Sequence, residues 1–139
     1  MLKGQYQHNM DLKGRVTFPS KFREGLGDVF HVCKGFDNCL FVLSNEQWDA
    51  FAQNLSAMPF AKGRDIKRFF FSSVETLEPD KQGRVLIPQY LRDFAGLEKE
   101  VTIIGVDTRA EIWDTASWKQ YNDELSDASF NEAMELLDF

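Results

Sequence analysis

Residues 11–23, DLKGRVTFPSKFR, align without a gap on residues 80–92, DKQGRVLIPQYLR, with Asp, Gly, Arg, Val, Pro and the final Arg in common. The apolar pairs Phe18 with Ile87 and Phe22 with Leu91 fill the same pattern. After a one-residue shift the agreement continues through Gly35 and Gly105, Asp37 and Asp107, Ser44 and Asp114, and Trp48 and Trp118. A duplication of this kind restricts the fold to two small related halves sharing one core, since a chain of 139 residues holds about one ordinary domain. We divide the chain into a first repeat over 1–60 (core 5–48), a helical connector over 61–71, a second repeat over 72–126 (core 77–120) and an acidic C-terminal tail over 127–139.

Each half reads alike. A turn at Asp-x-x-Gly enters a short strand, and Pro19 or Pro88 then suits the first position of a short helix. Gly25 and Gly27, or Gly96, can end that helix in a left-handed conformation. Apolar β-rich runs at 29–33 and 39–43, and at 101–106 and 110–113, predict a hairpin in each half. Ser44 with Gln47, and Asp114 in the matching place, predict helix starts, and Trp48, Phe51, Ala52 and Leu55 recur at helical spacing. The connector KGRDIKRFFF has two readings: a DNA-facing basic helix, or a linker with a solvated basic face and an apolar end docked on the core.

The net charge of −6 argues against nucleic acid only as an average. Residues 1–25 carry Lys3, Lys13, Arg15, Lys21 and Arg23 against Asp11 and Glu24, whereas residues 107–139 carry nine acids against Arg109 and Lys119. No run of eighteen apolar residues and no signal-like start occurs, so a cytoplasmic protein with no membrane partner is expected. Cys33 and Cys39 then read as buried small hydrophobes.

The glycine-centred turn projects Lys13 and Arg15 outward, and an arginine fork can bond a guanine edge bidentately, while lysine acts as a point charge. Asp11, four residues before Arg15, either orients that arginine or forms an ion pair that merely pins the turn; Asp80 and Arg84 pose the same choice. The residues alone leave these readings even.

The doubled Asp-x-x-Gly-Arg-Val-x-Phe/Ile-Pro motif, the N-terminal MLKGQY, the strand from Glu111 to Trp113 and the Trp118 helix resemble the MraZ family of bacterial regulators. The resemblance covers almost the whole chain. It implies an α+β fold, a swapped-hairpin AbrB-like β-barrel from two internal repeats with flanking helices, whose subunits assemble into a ring. It implies a transcriptional regulator, usually a repressor of the division and cell-wall gene cluster, that binds double-stranded DNA at short direct repeats in the nucleoid. On the motif it assigns DNA binding to Asp11, Arg15, Asp80 and Arg84; Lys13 and Lys3 from the basic first segment complete the candidate set. Gln82 stands where Lys13 is in the first copy, so the two copies are not equivalent.

An AbrB-like antitoxin or protein-interaction module, with the acidic tail engaging a partner, is the alternative. An enzyme is disfavoured: His8 and His31 stand in different contexts, Glu111 and Asp114 read as a strand face and a helix cap, and no metal, cofactor or small-molecule site is expected.

Overall fold

A computed structural model describes residues 1–137; the last two positions of the acidic tail, 138 and 139, lie outside the described residues. The first repeat contributes β1 (Gln5–Asn9), β2 (Arg15–Thr17), α1 (Ser20–Leu26), β3 (Phe30–Lys34), β4 (Leu40–Ser44) and α2 (Asn45–Ser56). Helix α3 (Phe60–Phe71) follows, and the pattern then recurs as β5 (Glu75–Leu77), β6 (Arg84–Leu86), α4 (Gln89–Ala95), β7 (Glu100–Val106), β8 (Arg109–Asp114) and α5 (Thr115–Asp123), with α6 (Ala128–Glu135) at the end.

The repeats exchange strands. β1 pairs with β7 of the second hairpin, β5 pairs with β3 of the first, and the hairpins join through β4 and β8. All pairings are antiparallel, giving a six-stranded sheet in the order β1-β7-β8-β4-β3-β5. The expected closed barrel is not observed: β1 and β5 are the sheet's edges, and β2 and β6, instead of extending it, pair with each other as a separate two-stranded ribbon.

Alternation of side chains along the strands explains the layers. Phe30, Val32, Leu40, Val42, Val101, Ile103 and Ile112 turn to one face, where they meet Val16 and Val85 of the ribbon, Phe22 and Leu26 of α1, and Leu91 and Ala95 of α4. Cys33, Phe41, Leu43 and Trp113 turn to the other, beneath Leu55 of α2 and Phe70 of α3, with Trp48, Phe51 and Trp118 packed around them. Both strands of the first hairpin therefore carry apolar residues on each face, β4 at every position but Ser44.

Local signals place the helices. Ser44 and Asp114 cap α2 and α5 by accepting the amides of Gln47 and Ser117. Pro19 and Pro88 stand one residue earlier than expected, as extended N-cap residues. Gly27 and Gly96 close α1 and α4 at positive φ. Among the connector's cations, Lys62, Arg64 and Arg68 face solvent while Phe70 is buried. Helix α6 has no buried residue.

Candidate nucleic-acid interface

Two turns flank the ribbon, one at each end. In the first, the carboxylate of Asp11 accepts the amides of Lys13 (3.0 Å) and Arg15 (2.8 Å) through Oδ1, and Arg15 Nε donates to Oδ2 at 2.6 Å. The backbone closes the same loop, with the Gly14 amide donating to the Asp11 carbonyl and the Asp11 amide to the Arg15 carbonyl, both at 3.0 Å. The second turn repeats each bond: Asp80 accepts the amides of Gln82 and Arg84, both at 2.9 Å, and Arg84 Nε at 2.8 Å.

The two readings of the Asp–Arg spacing are thus one arrangement. Each aspartate pins the turn and, by taking only Nε, fixes the plane of the guanidinium while leaving its terminal nitrogens free of any other acceptor among the described residues. Both pairs are only about two-thirds buried. The Arg15 amide, aided by the Arg15 guanidinium and the Lys13 amide, lowers the Asp11 pKa to about 2, and the equivalent bonds lower that of Asp80. The carboxylates are therefore ionised throughout the neutral range.

In the ribbon's register, Arg15 faces Leu86, Val16 faces Val85 and Thr17 faces Arg84. Val16 and Val85 point into the core, so Arg15, Thr17, Arg84 and Leu86 share the outer face. Beyond them lie the exposed tips, Leu12 and Lys13 at one end and Lys81 and Gln82 at the other. A two-stranded ribbon of this width can enter a major groove.

Two residues outside the candidate set hold the arrangement together. Arg23 Nε donates to the Phe18 carbonyl at 3.0 Å, and its guanidinium lies over Gly83 of the other repeat's turn; Arg92 donates to the Ile87 carbonyl at 2.8 Å and covers Gly14. The signal for them in the sequence is the final Arg of the aligned segments. Lys81 was hidden by its one-place offset from Lys13.

Lys3 is not brought to this surface. It precedes β1, beside the Leu2–Asp107 bridge, whereas Asp11 follows that strand. At about 3.3 Å per residue, roughly 25 Å of extended chain separates them.

The remaining candidates are structural. Glu111 is buried and accepts from Arg109 (2.9 Å) and Trp113 Nε1 (3.0 Å), and Asp114 is the α5 cap. Cys33 and Cys39 are free and buried. His8 and His31 lie on different strands, and no metal-binding group of His, Cys, Asp or Glu occurs among the described residues. No helix among them is long and apolar enough to cross a membrane.

The family described as "MraZ protein, putative antitoxin-like" matches residues 1–68 and again 70–138. The chain belongs to the MraZ family. Proteins named transcriptional regulator MraZ resemble it over nearly their full lengths. That of Acetivibrio thermocellus is 51% identical, with 99% of each chain covered. That of Desulforamulus reducens is 49% identical, covering 97% of this chain and 96% of the relative. That of Heliobacterium modesticaldum is 45% identical, covering 100% and 99%. The doubled MraZ match corresponds to the doubled Asp–Arg bracket.

Proposed function

We propose that the chain is a sequence-specific DNA-binding transcriptional regulator whose outer ribbon face enters the major groove. The observation that carries the reading is the paired bracket: two arginines on one ribbon face, each with its plane fixed through Nε and its terminal nitrogens free. Arg15 and Arg84 are the base-reading groups, since a fixed planar fork suits the two acceptors of a guanine edge. Asp11 and Asp80 orient them. Lys13 serves a phosphate, and Lys3 is left to a phosphate away from the ribbon.

Each acidic subunit offers few such contacts, so tight binding requires linked copies. A ring homo-oligomer supplies them, and rotation about its axis presents every subunit in the same sense, which suits short direct repeats. The family resemblance points to repression of the division and cell-wall gene cluster, in the cytoplasm at the nucleoid. In this reading the repeats over 1–60 and 72–126 act as one unit, because the ribbon takes a strand from each.

Footprinting of the purified chain on the DNA preceding its own gene tests the proposal. Protection of short, regularly spaced direct repeats is expected. Uniform cleavage at saturating protein would contradict it.

A further inference from the structure

The two ends of the ribbon are built alike in backbone and unlike in surface chemistry. At the first end, the cross-strand partner of Arg15 is Leu86, which is 56% exposed, and the tip carries Leu12, which is fully exposed. At the second, Arg84 has Lys81 at the tip and Thr17 across the ribbon. The first arginine therefore has exposed leucines beside it, together with Lys13, and the second has none at its tip or across the ribbon.

Neither leucine is explained by the fold. Leu12 occupies a turn already closed by the Asp11 and Gly14 bonds, a place where polar residues and glycine are usual. Leu86 faces outward while Val85 beside it supplies the core contact. Their apolar area is available to an occupant, and Lys13 and Arg15 next to Leu12 make an anionic occupant the fitting one.

Resting on the DNA-binding reading above, we propose that Leu12 and Leu86 are specificity-determining residues that take the 5-methyl group of a thymine adjoining the base read by Arg15. The major groove offers an apolar contact only at that methyl group. The Lys81 end lacks the apolar pair, so each subunit reads a non-palindromic site and has a direction along the duplex. This is the property that direct repeats demand of a unit whose backbone is nearly symmetric.

The test uses the full-length chain and a duplex selected by the wild-type protein from a random pool. Each thymine is replaced in turn by deoxyuridine, which removes only the methyl group. At one position the wild type should lose about fourfold in affinity, the effect of one buried methyl. The Leu12→Ala/Leu86→Ser variant should show a comparable or larger loss on the thymine duplex and no further loss on the deoxyuridine duplex. Lys81→Ala should keep the methyl sensitivity. Indifference of the wild type to every deoxyuridine overturns the proposal without needing any variant to fold. So does a leucine variant that still discriminates fourfold between the two duplexes, as the wild type does, or a change in its oligomeric mass, which would assign the leucines to a contact between copies. Failure to select any duplex would instead defeat the DNA-binding reading itself.

Discussion

Val16 stands directly opposite Val85, and both side chains are buried between the ribbon and the six-stranded sheet. One valine comes from each repeat, so the outer face bearing Arg15 and Arg84 exists only when both repeats are folded together. The bonds beside them reinforce this: the Phe18 amide donates to the Gly83 carbonyl at 2.9 Å and the Ile87 amide to the Gly14 carbonyl at 3.0 Å.

Gly14 has φ +89° and lies under the Arg92 guanidinium, which an added Cβ would overlap; Gly96 has φ +62° and open space around it. Both Ala variants suffer backbone strain of about 1–2 kcal/mol. Gly14→Ala should cost more than Gly96→Ala in denaturant melts, and adding Arg92→Ala should recover part of the difference. Equal costs would show that Arg92 does not brace the first turn.

The Asp11 carboxyl should titrate at about 2, and that of Asp80 below the ordinary aspartate range, when followed by NMR. The folded value lies below the unfolded one, so the bracket stabilises the fold above the unfolded pKa near 4 and loses that contribution as pH falls towards about 2. Arg15→Ala should raise the Asp11 value only partly, because the residue 15 amide, its largest influence, remains. An ordinary aspartate titration in the wild type would refute the bracket.

What could be read along the chain was what repeats locally. The hairpins, the caps at Ser44 and Asp114 and the doubled turn follow from residues close in sequence. The strand exchange does not, because β1 and β5 have the same neighbours in sequence whichever hairpin they join. The open sheet is hidden for a related reason: nothing in Arg-Val-Thr or Arg-Val-Leu says that β2 and β6 pair with each other. Arg23 and Arg92 are visible in the sequence only as the shared final Arg of the repeats, since the glycines they cover lie in the other repeat. Lys3 shares only its charge with the turn, and the length of β1 separates them.

Burial raises the Cys33 thiol to about 12 and shifts Cys39 in the same direction. Neither thiol should react with a thiol-specific disulfide reagent in native protein at neutral pH, and both should react once the chain is unfolded. Rapid native labelling would show that the face covered by α2 and α3 opens readily.

Affinity should rise with the number of direct repeats, and inserting about 5 base pairs between two repeats should return it towards the single-repeat level, given about 10 base pairs per turn. Salt should weaken the phased duplex most steeply, since more subunits displace counterions there. Titrations over one, two and three repeats decide this; indifference to number and spacing would remove the ring.

If Arg15 reads DNA and Arg23 braces the turn at Gly83, the two arginines must fail differently when replaced. The direct measurement is a parallel binding titration and thermal melt of Arg15→Ala and Arg23→Ala, two variants that each remove one positive charge. Arg15→Ala should lose about 1–3 kcal/mol of specific binding and relax sequence preference. Its melting should stay close to wild type. Arg23→Ala should instead lose about 1 kcal/mol of stability with its bond to the Phe18 carbonyl, and retain sequence preference when folded. Equal, purely salt-like losses of binding in two folded variants would rule out a base-reading role for Arg15.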